Sequence, residues 1–200
     1  TSIFPAHSAV KAPVFPFSRF PGVEPLLGPE MKSTGEVMGL DKDLGAALAK
    51  ALIGAGNKLP TSGRVFISVK DEDKSAIVPI ARDLAAAGFE IISTGGTCAY
   101  LREEGLEVSR INKVMEGQPH IVDSIINGEI ALMINTTSKT AQSVADGSSI
   151  RRHALMHKIP YYTLLTASSA AVQAIKTLKA QELSVAPLQA YMLPAKKQAA

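Results

Sequence analysis

Ser93-Thr94-Gly95-Gly96-Thr97 is the stretch of this chain best suited to hold an anion. Adjacent glycines let a backbone come close to a charged oxygen. Two threonine hydroxyls add donors, and a helical pattern follows at once, so its first amides would point outward. The chemistry implied is phosphate binding. The spacing is not that of a dinucleotide fingerprint, which needs a longer glycine period, nor of a Walker loop, which needs Gly-Lys-Ser/Thr. A bare Gly-Gly also serves as a tight turn, so this segment alone leaves both readings open.

Three other segments carry polar groups of the same kind. Ser68 is followed by Lys70 and Lys74, Asn112 by Lys113, and Asn135 by Thr136, Thr137 and Ser138. Lys74 and Lys113 would supply countercharge, and the hydroxyls and amides would read a sugar or base. Taken singly, each lysine reads equally as a solvated charge and each polar residue as a satisfied turn. Catalytic equipment is sparse. His120 and Asp123 stand three apart on one helix face and read as a structural pair without a third group. Cys98 sits in the first turn of a helix with no base nearby and reads as packing. The histidines are too scattered for zinc. Arg151 and Arg152 read as helix-surface charges, one of them free to face a ligand or a partner domain.

What must position these groups is an alternation of strands and helices. Arg64–Val69 is a near-continuous apolar run, as expected of a strand buried on both faces. Asp73–Ala87 is expected to be helical, with Ile77, Ile80, Ala81 and Leu84 on one stripe and Pro79 kinking it or delaying its start. Strands are expected at Phe89–Ser93, Glu107–Ile111, Ile130–Asn135 and Tyr161–Leu164. Helices are expected at Thr97–Glu104, Ile121–Ile126, Ser149–Lys158 and Ser168–Lys179. The pattern predicts a three-layer α/β/α fold with a mostly parallel, doubly wound sheet of about five strands. In such a sheet ligands bind beyond the carboxyl ends of the strands. All four polar segments fall there, and their convergence on one rim is the expectation that matters most.

The first 60 residues differ in texture. Six of the 12 prolines lie within residues 1–30, which disfavours helix there. Val10–Phe17 reads as an edge strand broken by Pro13 and Pro16, and 18–39 as an ordered loop. A helix at about 41–55 is expected, capped by Asp41, striped by Leu44, Leu48 and Leu52, and stopped by Gly54 and Gly56. Asn57 to Gly63 reads as a linker. The division is therefore 1–60 as the end of a preceding unit, 61–195 as the α/β domain, and 196–200 as a frayed tail.

Composition bounds the rest. Hydrophobic residues make up 46% of the 200, but aromatics only 5% with no Trp, so the core must be aliphatic. A net charge of +3 is too mild to suggest nucleic-acid binding. The single cysteine excludes an internal disulfide and fits a reducing, cytoplasmic setting. No apolar run approaches membrane-spanning length, and residues 1–30 hold no signal-peptide core.

The same residues carry a family resemblance. Ser93–Thr97 (STGGT), Asn112–Ile121 (NKVMEGQPHI), Asn135–Ser138 (NTTS) and the Ile150-Arg151-Arg152 run resemble the methylglyoxal-synthase-like (MGS-like) domain that ends the carbamoyl phosphate synthetase (glutamine-hydrolysing) large chain. Phe15–Gly39 (FPFSRFPGVEPLLGPEMKSTGEVMG) is similar to the segment that closes the second ATP-grasp synthetase domain of that chain. The resemblance implies a regulatory domain that binds UMP or IMP at one overlapping site, thereby controlling carbamoyl phosphate synthesis for pyrimidines and arginine. It implies Lys74, Thr94, Gly96, Thr97 and Lys113 around the nucleotide phosphate, and Ser68, Asn135, Thr137 and Ile150 around ribose and base. It also implies upstream synthetase domains that use ATP and Mg²⁺, and a glutaminase small chain that supplies ammonia. The ATP- and metal-binding residues are expected to precede Thr1, which leaves this stretch without a catalytic centre or cofactor of its own. Some members also respond to ornithine. Their two carboxylates correspond here to Ala12 and Tyr162, beside matching Tyr161 and Thr163, so ornithine activation is expected to be weak or absent.

Other functions share the fold. Methylglyoxal synthase uses a carboxylate base where this chain has Gly117-Gln118-Pro119-His120, which argues against lyase chemistry on dihydroxyacetone phosphate. The purine enzyme with IMP cyclohydrolase activity shares the Ser-Thr-Gly-Gly-Thr loop but lacks the proline-rich lead-in. A domain that docks the synthetase core without binding any ligand is the remaining alternative.

Overall fold

The structure, a computed structural model, describes residues 6–15, 35–136 and 141–192. Five strands form a wholly parallel sheet: β3 (Arg64–Ser68), β4 (Glu90–Ser93), β5 (Val108–Arg110), β6 (Ile130–Asn135) and β7 (Tyr161–Tyr162). Their order is β5-β4-β3-β6-β7. The chain winds outward from β3 through β4 to β5, then crosses back to place β6 on the other side of β3. The direction of winding thus reverses between β3 and β6, where open α/β sheets have their ligand crevice.

Period-two alternation splits the apolar residues of each strand between two cores. Val65, Ile67, Ile91, Leu132 and Ile134 belong to one core, with residues of α1 (Leu44–Gly54), α2 (Lys74–Ala86), α3 (Gly95–Glu103) and α6 (Leu165–Ala180). Phe66, Ile92 and Met133 belong to the other, with residues of α4 (Ile121–Ile126) and α5 (Ala141–Met156). Helices on both faces complete the three expected layers. Phe66 is the largest fully buried side chain, and truncation to Ala would cost about 3–5 kcal/mol.

The helices follow their signals with instructive exceptions. In α2 the predicted Ile77, Ile80, Ala81 and Leu84 are all buried. Pro79 lies inside the helix on its exposed face and does not delay its start. The helix after β4 starts at Gly95, not Thr97, with Thr94 as N-cap. Helices α5 and α6 begin at Ala141 and Leu165, earlier than expected, while β5 and β7 are shorter. A short α7 (Leu188–Met192) was not expected. The proposed tail at 196–200 lies outside the described residues.

The N-terminal part corrects the reading more substantially. β1 (Ser8–Val14) pairs antiparallel with β2 (Gly35–Asp41), which occupies the end of what reads as a loop. Glycines at 35 and 39 hide the alternation of Val37 and the residues around it. The remainder of that loop, 16–34, lies outside the described residues. Asp43, not Asp41, caps α1 by accepting from the Ala46 amide at 2.8 Å. Asp41 instead pairs with Lys50 at 2.7 Å.

The predicted leucine stripe of α1 holds in part: Leu48 and Leu52 are half-buried and pack against the core, but the fully buried face is made of alanines. Leu44 is 63% exposed, whereas Ala46, Ala47, Ala49 and Ala51 are buried. Space decides this. A Cβ on Gly39 would overlap the Ala47 carbonyl oxygen, and one on Gly45 would overlap Thr177 Oγ1 of α6. Where α1 meets the hairpin at Ala47 and α6 at Gly45, only small side chains fit. Thr177 also donates to Asp43 at 3.1 Å, and Tyr191 of α7 donates to the Leu40 carbonyl at 3.1 Å.

Candidate functional site

The carboxyl rim of the sheet is knitted together by hydroxyls. Ser68 and Asn135, the last residues of β3 and β6, stand opposite each other. Ser68 Oγ and Thr94 Oγ1 share a hydrogen bond of 2.8 Å. The Thr136 amide donates to the Ser68 carbonyl at 3.0 Å, and the Lys70 amide to Thr136 Oγ1 at 3.1 Å. Thr97 Oγ1 accepts from the Val69 amide at 3.1 Å and pairs with its carbonyl at 3.2 Å. Thr94 and Thr97 are both 3% exposed. Their hydroxyls therefore hold the loop after β3, and no side chain caps the start of α3. What this helix start offers an anion is its backbone amides.

Cations gather at the same place. The Lys74 ammonium would lie 3.6 Å from a Cβ on Gly96, so the missing side chain makes room for it. It pairs with Asp71 at 2.8 Å and lies 6.0 Å from the Tyr100 ring centroid. Asp71 is held below the ordinary carboxylate range, first by its hydrogen bond to Lys74, then by that lysine's charge, with burial opposing and the Lys113 charge helping. Both ammonium groups thus act on one exposed carboxylate. Lys113 itself is exposed. It precedes a short turn that Asn112 ties down by donating to the Gly117 carbonyl at 3.3 Å.

Ser68, Lys74, Thr94, Gly96, Thr97, Lys113 and Asn135 therefore lie along one rim. Ile150 does not open onto it. It is 5% exposed and belongs to the core cluster that holds Phe66 and Met133. Thr137 lies outside the described residues. His120 and Asp123 cap α4 reciprocally: His120 N donates to Asp123 Oδ2 at 2.8 Å, and Asp123 N to His120 Nδ1 at 3.4 Å. Cys98 is buried, its Sγ 3.8 Å from the Val108 carbonyl.

Two residues near the rim, Arg110 and Asp71, are not among the candidates named from the sequence, and the surface placement expected of a third, Arg151, is corrected. Arg151, taken for a surface charge, is 6% exposed, whereas Arg152 is exposed. Burial pushes the phenol of Tyr161 up, while neighbouring Asn135 and Arg151 pull it back part of the way. Arg110 ends β5, where the strand was expected to run on to Ile111. Asp71 sits in the loop after β3, a position the strand-end rule covers but a search for anion ligands passes over.

Residues 76–163 match the family model for the MGS-like domain. Over 186 residues, 93% of its length, it is 56% identical to the carbamoyl phosphate synthase large chain of Myxococcus xanthus. Over 185 residues it is 53% identical to that of Rhizobium meliloti. It spans only 17% and 16% of those two proteins. A Methanopyrus kandleri relative, the carbamoyl phosphate synthase large chain, C-terminal section, is 50% identical over 181 residues, and this chain covers 33% of it. The crystal structure of methylglyoxal synthase from Elizabethkingia anophelis covers 57% of the chain at 18% identity and a TM-score of 0.45, too low to carry weight.

Proposed function

We propose that this chain is the regulatory end of a carbamoyl phosphate synthase large chain, and that its carboxyl rim takes a nucleoside monophosphate of the UMP or IMP kind. The observation that carries this reading is the gathering of Lys74, Lys113 and the uncapped start of α3 at the carboxyl rim of the sheet. The phosphate sits over Gly95 and Gly96, with the helix amides and the two ammonium groups around it. Asn135, the only buried amide at a described strand end, hydrogen-bonds the sugar or base from the β6 side.

Carbamoyl phosphate synthesis itself belongs, in this reading, to upstream synthetase domains that use ATP and Mg²⁺, fed by a glutaminase small chain. The hairpin and α1 are the seam to those domains. The setting is the cytoplasm, in keeping with the buried thiol of Cys98; among the described residues no helix is long and apolar enough to cross a membrane. Lyase chemistry is disfavoured because the His120–Asp123 pair is consumed in capping α4.

Calorimetric titration of the purified protein with UMP and with IMP tests the reading. Saturable binding of at least one is expected. Absence of binding to both would leave a docking domain, and turnover of dihydroxyacetone phosphate to methylglyoxal would make it a lyase.

A further inference from the structure

We infer that Arg110 is a third cation of the anion cradle, gripping the phosphate from the β5 side; this role rests on the effector reading above. Gly95 and Gly96 are the first two residues of α3. A Cβ on Gly96 would stand 3.6 Å from Lys74 Nζ, and one on Gly95 would stand 3.8 Å from both Cζ and one terminal nitrogen of Arg110. Each of two consecutive glycines therefore faces a different cation, one brought by the helix after β3 and one by the end of β5.

The pairing is electrostatically unfavourable by itself. The N-terminus of a helix carries partial positive charge, and cations beside it are disfavoured. Arg64 and Arg82 both meet carboxylates, and Arg102 meets the Val108 carbonyl. The Arg110 guanidinium has no ion pair or hydrogen bond to any described residue, and the residue is exposed. An anion over Gly95 would relieve the repulsion. A guanidinium in that place presents a planar fork to two phosphate oxygens, which an ammonium does not. Lys74, Lys113 and Arg110 would bring three cationic side chains to a phosphomonoester, which is close to doubly charged at neutral pH.

The test uses the full-length protein, titrated with UMP, uridine and inorganic phosphate at several salt concentrations. Arg110→Gln is expected to weaken UMP about tenfold. It should flatten the salt dependence, leave any uridine binding unchanged, and unfold at the wild-type temperature. Arg110→Lys should recover part of the loss. Lys113→Ala is the control. If Lys113→Ala weakens UMP and Arg110→Gln does not, Arg110 has no place in the cradle while the effector reading stands. If the unaltered protein binds neither UMP, IMP nor phosphate, both fall together.

Discussion

Ser68 and Thr94 meet hydroxyl to hydroxyl at 2.8 Å, tying the carboxyl end of β3 to that of β4. Thr94 is buried, so its hydroxyl is committed to this bond rather than free for a ligand. Thr94→Val keeps the shape and removes the bond. A net loss of about 1 kcal/mol is expected, read from denaturant unfolding, together with weaker nucleotide binding as the two strand ends drift. A variant that loses neither stability nor affinity would show that the contact is incidental.

Lys113 and Asp71 act in opposite senses. Lys113→Ala removes a charge-assisted phosphate contact and should weaken UMP about ten- to a hundredfold. Asp71 pairs with Lys74 at 2.8 Å and would compete with the phosphate for it. Asp71→Asn should therefore tighten UMP by up to about fivefold. Parallel titrations read both, and a weakened Asp71→Asn variant would contradict the competition.

Gly96→Ala separates folding from binding. The added methyl meets Lys74 Nζ at an ordinary contact distance of 3.6 Å. Helix α3 gains a better helix former, stabilising by a few tenths to about 1 kcal/mol. The same methyl blocks close approach of an anion. Higher thermal stability with lower nucleotide affinity is expected, and unchanged affinity would move the phosphate away from this glycine.

The Asp41–Lys50 pair sets a pH window for the hairpin. Hydrogen bonding to Lys50 leads in holding Asp41 below its ordinary 3.8, against burial, with the Asp43 amide and the Lys50 charge assisting. Its contribution is present above 3.8 and is lost as pH falls through the lowered value. Burial pulls Lys50 down, but Asp41 and Tyr191 together raise it above 10.5. Its contribution is present below 10.5 and is lost as pH rises through the raised value. Hydrogen exchange of the β1 and β2 amides should accelerate on both flanks, and Asp41→Asn should abolish the acid limb.

Ornithine should have little or no effect. Ala12 is buried in β1, and burial pushes the Tyr162 phenol up to about 12, leaving it neutral at physiological pH. A cationic amine would meet no carboxylate at either position. Activity of the full enzyme complex with and without ornithine checks this, and clear activation would place the amine elsewhere.

The sheet was legible because its strands are unbroken apolar runs. Val65, Phe66 and Ile67 can only be buried on both faces, and the polar residues just beyond such runs mark the rim. Arg110 was missed because one residue of strand length decides whether it lies within the ladder or at its end. Helix α1 was misread for a different reason. Hydropathy ranks Leu44 above Ala47, but the approach of Gly39 to Ala47 and of α6 to Gly45 leaves room there only for small side chains, and no local pattern reports how close a distant element will come. Arg151 was misjudged likewise, since its burial depends on β7 and β6 arriving beside α5.

The tightness around α1 has a mechanical meaning. Gly39 is pressed against Ala47 of the helix, and the helix's own Gly45 against Thr177 of α6, so neither contact leaves room for sliding. Hairpin, α1 and α6 form a single strut, and α6 begins three residues after β7 leaves the sheet. A tilt imposed on α6 at that end would be passed through α1 toward Ser8–Val14.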